Sequence, residues 1–351
     1  MKITKQSRVF APLSLLGGVL ALTLSACGSD SVNVAATGPV PVANATYGDG
    51  GMPAFYTWQS AVPNQPGVVL RQAPLPAEFA LDHSDPAQNA RLLYTSTEGV
   101  DGKTPITVSG AVYLPRGTPP AGGWPIIAWT HGTVGIADIC APSFRQRSDR
   151  DKAYLGTMLA QGYAVVATDY QGLGTPGPHP YLVHRAEAYS ALDAVRAALA
   201  AFPGVLSNKV VAAGQSQGSG ATIATLQYAP AYAPDVRVVG GVATGVYFPL
   251  VASGTAPSAP AQTGDAGNSV YLLLAIRGTG ALVVPGFDFR PYLSERAQPL
   301  YDATVTSCLD QLDTLQQANG VDQTNYLKAM PPIDKIGAIV AATSTPVAGS
   351  R

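Results

Sequence analysis

The stretch VVAAGQSQGSG, residues 210–220, decides how the rest of the sequence is interpreted. Its first four residues are apolar, as in a strand buried within a parallel sheet, and the residues that follow Gly218 favour a helix. Gly214 and Gly218 flank Ser216 in the pattern G-x-S-x-G, which puts a serine on a sharp turn between a strand and a helix. Such a turn needs small neighbours because the backbones approach closely. The pentapeptide alone is weak evidence for such a serine turn, but the strand–turn–helix setting makes the motif specific.

Further apolar runs predict strands on both sides of this turn in the sequence. They cover residues 105–114, 125–130, 162–168 and 236–243. Helical periodicity is found over residues 151–161, 186–202 and 217–228, and in the second of these the apolar residues share one stripe while the charges lie elsewhere. Alternating strands and helices predict an α/β fold with a doubly wound, mostly parallel sheet.

Residues 247–332 break this alternation. A segment rich in Ser, Ala, Pro and Gly is followed by helical stretches at 269–276 and 309–318. We therefore expect residues 46–246 to form the core around the sheet and residues 247–332 to form an inserted helical cap or lid. Residues 333–351 are expected to begin the C-terminal part of the core.

The N-terminus predicts export from the cell. Three basic residues precede an apolar run that is short for a membrane span and ends in LSAC, residues 24–27. This ending is similar to the lipobox of bacterial lipoproteins, so residues 1–27 are expected to be a signal peptide, with lipidation of Cys27. Ordinary signal cleavage beside an incidental cysteine is the alternative. Residues 28–45 have the composition of a flexible tether, and the predicted location is the bacterial cell envelope or the medium.

Composition narrows the possible classes of function. The net charge of −1 provides no basic surface for nucleic acid, so we expect no nucleic-acid partner. Only 12% of the residues are charged while Gly and Pro are abundant, which argues against a coiled coil or a disordered chain. An ordered enzyme with many loops fits this balance.

The serine turn predicts nucleophilic catalysis. In the α/β-hydrolase fold the residue after the nucleophile supplies one oxyanion N–H, and a loop after an earlier strand supplies another. Here Gln217 follows Ser216, and Gly132 or Thr133 follows the strand at 125–130, with the Thr133 hydroxyl as a further donor. His131 is expected to brace this loop, because the fold orders its triad as serine, acid and then histidine. The expected chemistry uses neither a metal nor an organic cofactor.

Two cysteines remain once Cys27 is assigned to a lipid. Cys140 and Cys308 could form a disulfide in an oxidising compartment, where the bond would close a long loop. Two separate buried thiols are the alternative, and the residues alone leave both open.

Three stretches together resemble the secretory lipase family, the yeast lipase A type of α/β-hydrolase. They are GWPIIAWTHGTVGIADICAPS at 123–143, GYAVVATDYQGLGTPGPHPYL at 162–182 and VVAAGQSQGSG at 210–220. The resemblance extends over roughly residues 70–345 and is specific in order and spacing. It implies hydrolysis of carboxylic esters, commonly acylglycerols, under a helical cap, with Ser216 as the nucleophile. It also implies that Cys140 pairs with a cysteine of the cap, for which Cys308 is in a suitable position.

The sequence departs from that family in one respect. The family completes its triad with an Asp and a His in a further C-terminal segment, whereas all four histidines of this chain precede Ser216. The catalytic acid and histidine are therefore expected to be absent from these 351 residues, with the C-terminal strands of the core. A serine without a neighbouring base is a poor nucleophile, so we expect the chain as written to be impaired.

Two other functions remain open from the sequence. A peptidase or an acyltransferase would share the same serine turn, and only the cap and the acyl pocket would distinguish them. A non-catalytic surface protein that binds a ligand on a hydrolase fold would explain the lack of a later histidine, but the serine turn and the oxyanion loop argue against it.

Overall fold

A computed structural model describes residues 51–246 and 268–343. The described residues belong to one unit, Val34–Arg351. The signal peptide, Cys27, the tether at 28–45, the segment 247–267 and residues 344–351 lie outside the described ranges, so the expectations for them remain predictions.

The described strands form a seven-stranded sheet in the order β1-β2-β3-β5-β4-β6-β7. The first three pairings in that order are antiparallel and the last three are parallel, so five strands run in one direction while β1 and β3 run in the other. The strands are β1 (Val69–Pro74), β2 (Ala90–Thr97), β3 (Pro105–Tyr113), β4 (Trp124–Thr130), β5 (Ala164–Thr168), β6 (Leu206–Gln215) and β7 (Val238–Thr244).

Helices cover both faces of the sheet. Alternate residues of β4 point to opposite sides, so that Ile126 joins a core cluster with α2 and α3 while Ile127 joins one with α1. The helices are α1 (Asp149–Ala160), α2 (His184–Ala201), α3 (Gln217–Tyr232), α4 (Asn268–Val283), α5 (Ala297–Ala303), α6 (Leu309–Asn319) and α7 (Ile333–Thr343). The predicted α/β-hydrolase fold, with a doubly wound and mostly parallel sheet, is confirmed.

The α4–α7 layer, defined as helices α4 to α7, has a hydrophobic cluster of its own. Val270, Leu273 and Leu300 are fully buried in it, together with Ile136 and Tyr181 from loops of the sheet domain. Ile339 of α7 is buried in this same cluster and not in the core around the sheet, while the boundary at residue 333 stays a prediction. An amphipathic helix buries its apolar stripe against the nearest apolar surface, and here that surface is α4.

Candidate active site

Ser216 stands on a strained turn between β6 and α3. Its backbone has φ 58° and ψ −122°, a region that a non-glycine residue rarely adopts and that costs about 1–3 kcal/mol. Two backbone hydrogen bonds hold it there: the Ser216 N–H donates to the Thr244 carbonyl at 3.0 Å, and the Ser219 N–H donates to the Ser216 carbonyl at 2.8 Å. Strain of this kind persists only where the surrounding structure enforces it, and it is common at functional sites.

The glycines beside Ser216 are required by the close approach of the neighbouring backbone. A Cβ atom on Gly218 would lie 1.9 Å from the Thr130 carbonyl oxygen, and one on Gly214 would lie 2.2 Å from the Thr130 hydroxyl. Neither position therefore has room for a side chain. The end of β4 and the start of α3 press together at this turn and fix the direction of the Ser216 side chain.

The Ser216 hydroxyl is available for chemistry. The side chain is partly exposed at the N-terminus of α3, and no described residue forms a hydrogen bond with its oxygen. Partial positive charge at a helix N-terminus favours an anion there. The position is therefore suited to negative charge that develops during a reaction.

Gly132 and Thr133, predicted as oxyanion donors, lie next to the serine turn. A Cβ atom on Gly132 would be 3.7 Å from the Ser216 Cβ and 3.2 Å from the Gln215 carbonyl oxygen. The Thr133 hydroxyl is hydrogen-bonded to the Tyr181 hydroxyl at 2.7 Å. The structure thus brings the β4 loop together with Ser216.

Gln217 begins α3, so its backbone N–H has no acceptor within the helix. Its buried side chain points away from solvent and donates through Nε2 to Glu187 Oε1 at 2.7 Å. The same Nε2 lies 3.2 Å from His179 Nε2. The residue predicted to supply this backbone donor is therefore held in place by its own buried side chain, and the sequence gives no sign of that contact.

Glu187 of α2 is a buried charge that the sequence argument missed, since charges on this helix were expected off the apolar stripe. Its carboxylate has no solvent exposure and accepts from Gln217 and from His184 Nδ1, the latter at 2.7 Å. Burial alone would raise the pKa of Glu187, but His184 and the hydrogen bonds lower it. No local pattern reveals this site, because Gln217 is 30 residues away in the sequence.

Asp169 and His131 form a second polar cluster at the same edge of the sheet. Asp169 is fully buried and accepts from the Ser109 hydroxyl at 2.7 Å, from the Ser143 N–H at 2.8 Å and from the Ser143 hydroxyl. Burial raises the pKa of Asp169, and these donors oppose the shift. The two ring nitrogens of His131 face the carbonyl oxygens of Gly132 at 2.7 Å and Asp169 at 3.2 Å, so the ring braces the loop.

Cys140 and Cys308 are joined by a disulfide with a Cα–Cα distance of 5.5 Å. The bond links the β4 loop to the start of α6. A cavity of about 370 Å³ beside it is lined by residues 131–134 of the β4 loop and by two ion pairs, Arg145–Asp310 and Arg150–Asp151. This lining is charged, so the cavity does not suit an apolar acyl chain.

The described residues contain no cluster of three or more His, Cys, Asp or Glu that could hold a metal ion. Within the same ranges no helix has the length and apolar character to cross a membrane.

Residues 146–256 match the family model for secretory lipase. The match covers about a third of the chain and is a similarity to that family. The matched residues include Ser216 and all of α2 and α3, which build one wall of the site.

Two relatives of this chain carry lipase names. Lipase A of Arthroderma benhamiae is 29% identical over 201 residues, which are 52% of this chain and 41% of that protein. Lipase 7 of Candida albicans is 30% identical over 122 residues, 32% of this chain and 28% of that protein. The chain thus spans less than half the length of either curated relative.

A solved structure supports the fold of this chain. The crystal structure of the rice cell wall degrading esterase LipA from Xanthomonas oryzae matches with a TM-score of 0.55. It is 20% identical, and the match covers 80% of this chain and 76% of that chain. At this identity the likeness establishes the α/β-hydrolase fold alone.

Proposed function

We propose that this chain is a serine hydrolase that cleaves carboxylic esters, of lipase or esterase type, through an acyl-enzyme on Ser216. The observation that carries the proposal is the strained, partly exposed Ser216, whose hydroxyl is unbonded among the described residues. The similarity of residues 146–256 to the secretory lipase family supports an ester as the substrate, as the lipase names of the two relatives do.

The geometry suggests how the two steps proceed. Ser216 Oγ attacks the ester carbonyl carbon, the alcohol leaves, and water then attacks the acyl-enzyme to release the acid. The oxyanion of each tetrahedral intermediate accepts from the Gln217 N–H and from the N–H of Gly132 or Thr133. One such donor typically contributes about 2.7–4 kcal/mol to the lowering of the barrier.

Acyl transfer also requires a base for the Ser216 proton. The four histidines of the chain precede Ser216, and no described histidine forms a hydrogen bond with its hydroxyl. We therefore propose that these 351 residues react slowly by themselves. Imidazole in the buffer should then speed the labelling of Ser216 by a fluorophosphonate, and no effect of imidazole would contradict this part of the proposal.

Hydrolysis of p-nitrophenyl butyrate tests the assignment of Ser216. In a buffer that contains imidazole, the Ser216→Ala variant should lose the part of the rate that exceeds hydrolysis by that buffer alone, because the acyl-enzyme can no longer form. Ser207→Ala, at the other end of β6, is the matched control and should keep the rate of the parent chain. Equal rates for Ser216→Ala and the parent chain would favour a non-catalytic binding protein.

Export and lipidation complete the proposal. The family name and the N-terminal pattern support passage through the bacterial cell envelope, with a lipid on Cys27. Labelling of cells with an alkyne fatty acid should mark the parent protein and leave Cys27→Ser unmarked. Equal labelling of both proteins would overturn the anchor site.

A further inference from the structure

One short segment, residues 178–182, contacts both predicted halves of the oxyanion hole. The Tyr181 hydroxyl is 2.7 Å from the Thr133 hydroxyl in the β4 loop. His179 Nε2 is 3.2 Å from Gln217 Nε2 at the start of α3. Both side chains are almost completely buried. We call residues 178–182 the connector.

The hydrogen bonds of His179 require one protonation form. Nδ1 lies 2.8 Å from the Gln171 carbonyl oxygen, so it must carry the proton and donate. Nε2 is then an acceptor for the second amide hydrogen of Gln217, whose first hydrogen goes to Glu187. Burial lowers the pKa of His179, which keeps the ring in this neutral form.

The α4–α7 layer rests on the same connector. The Thr279 hydroxyl of α4 donates to the Tyr181 carbonyl at 2.6 Å, and a Cβ atom on Gly278 would lie 2.4 Å from the His179 carbonyl oxygen. Tyr181 is also part of the apolar cluster of the α4–α7 layer. Leu182 ends the connector with φ 65°, so the chain here is bent and held by its contacts.

We propose that His179 and Tyr181 are positioning residues that hold both halves of the oxyanion hole in place and couple them to α4. A shift of α4 reaches the connector backbone through Gly278 and Thr279. A displaced connector then moves Thr133 through the Tyr181 hydroxyl and Gln217 through the His179 ring. Oxyanion donors act only at hydrogen-bond distance, so a displacement near 1 Å lowers the rate steeply. This inference rests on the proposed function.

The test measures the rate at which a fluorophosphonate labels Ser216 in the full chain. Tyr181→Phe removes one hydroxyl and should slow labelling by about 10- to 100-fold. Tyr232→Phe is the matched control, because its hydroxyl also has two hydrogen bonds, to Thr97 and Asp193, at the end of α3 that is remote from Ser216. The unfolding midpoint of this control variant shows how much stability is lost with such a hydroxyl. The midpoint of Tyr181→Phe should be lowered by no more than that.

A conservative pair separates positioning from packing at His179. His179→Gln keeps an acceptor near the position of Nε2 and should label within about threefold of the parent chain, whereas His179→Leu should lose about tenfold or more. Thr279→Val should slow labelling less when added to Tyr181→Phe than when made alone, because both act on one connector. Parent rates in Tyr181→Phe and His179→Leu would overturn the proposal.

Hydrogen exchange gives a readout that does not depend on activity. In Tyr181→Phe and Thr279→Val, peptides spanning 131–134 and 214–220 should exchange faster than in the parent chain, while Tyr232→Phe leaves them unchanged. Unchanged exchange there contradicts the coupling even if no labelling occurs. Faster exchange without labelling of the parent chain would instead refute the proposed function and leave the coupling standing.

Discussion

Ser216 and Asp169 stand at the ends of two parallel strands, β6 and β5, yet their surroundings differ in kind. Asp169 is fully buried, and the hydroxyls and the N–H around it satisfy its carboxylate. Ser216 is partly exposed and strained, and its hydroxyl has no hydrogen bond within the described residues. A satisfied buried group stabilises a fold, whereas strain and an available polar atom indicate chemistry.

The largest expected effect is on stability at Asp169. Asp169→Ala removes the acceptor of the Ser143 N–H and the nearest acceptor of the Ser109 hydroxyl, and should lower the free energy of unfolding by about 1–3 kcal/mol for each of these buried donors. Ser216→Ala should change it by less than about 0.5 kcal/mol. Chemical denaturation checks both, with Asp149→Ala at an exposed ion pair as the control. Equal losses of unfolding free energy in Asp169→Ala and Ser216→Ala would contradict the contrast between a stabilising group and a reactive one.

The buried ring of His131 faces the carbonyl oxygens of Gly132 and Asp169, and its protonation should make the stability of the fold depend on pH. Burial lowers the pKa of His131 to about 4 from its ordinary value of 6.5, so between these values the unfolded chain binds more protons than the folded one. The free energy of unfolding should therefore fall, by on the order of 3 kcal/mol in total, as the pH drops from 6.5 to 4.

His131→Gln isolates this contribution, because groups present in both chains cancel in the comparison. The variant should show a shallower fall in the free energy of unfolding over the same pH range. Denaturant titrations at several pH values measure the two slopes. Identical slopes would mean that His131 is not held neutral by burial.

A smaller loss of stability is expected when the close packing of the serine turn is disturbed. Gly218→Ala puts a Cβ against the backbone of Thr130 and should cost about 1–3 kcal/mol while distorting the oxyanion site. Gly240→Ala in β7 meets nothing within 4 Å and should change the stability by less than about 0.5 kcal/mol. Thermal unfolding of the two variants checks the difference. A Gly218→Ala variant as stable as Gly240→Ala would show that the turn tolerates a side chain.

Much of the sheet domain could be predicted because its signals are local. The continuous apolar runs of β4, β5 and β6 and the glycines around Ser216 reflect burial on both faces and one tight turn. Strand β2 was missed because its buried face includes polar groups, such as Ser96, whose hydroxyl bonds to Asp193 of α2 at 2.7 Å. Its partner is 97 residues away, and no periodicity encodes such a distance.

The surroundings of Ser216 were harder to predict than Ser216 itself. Glu187 and His179 sit in a helix and a loop where a charge or a histidine is usually solvated, and only the tertiary fold buries them against Gln217. The helix α7 was missed for the same reason, since Ile339 finds its apolar partners in α4 and not in a neighbouring turn. In both cases, partners that are distant in the sequence determine which side chains are buried.

The position of a covalent adduct tests the central claim most directly. The parent chain is treated with a fluorophosphonate, digested, and mapped by mass spectrometry, with Ser216→Ala as the comparison. If Ser216 is the nucleophile, a single adduct is expected on Ser216 in the parent chain and none in Ser216→Ala. An adduct on another serine, or one that persists in Ser216→Ala, would contradict it.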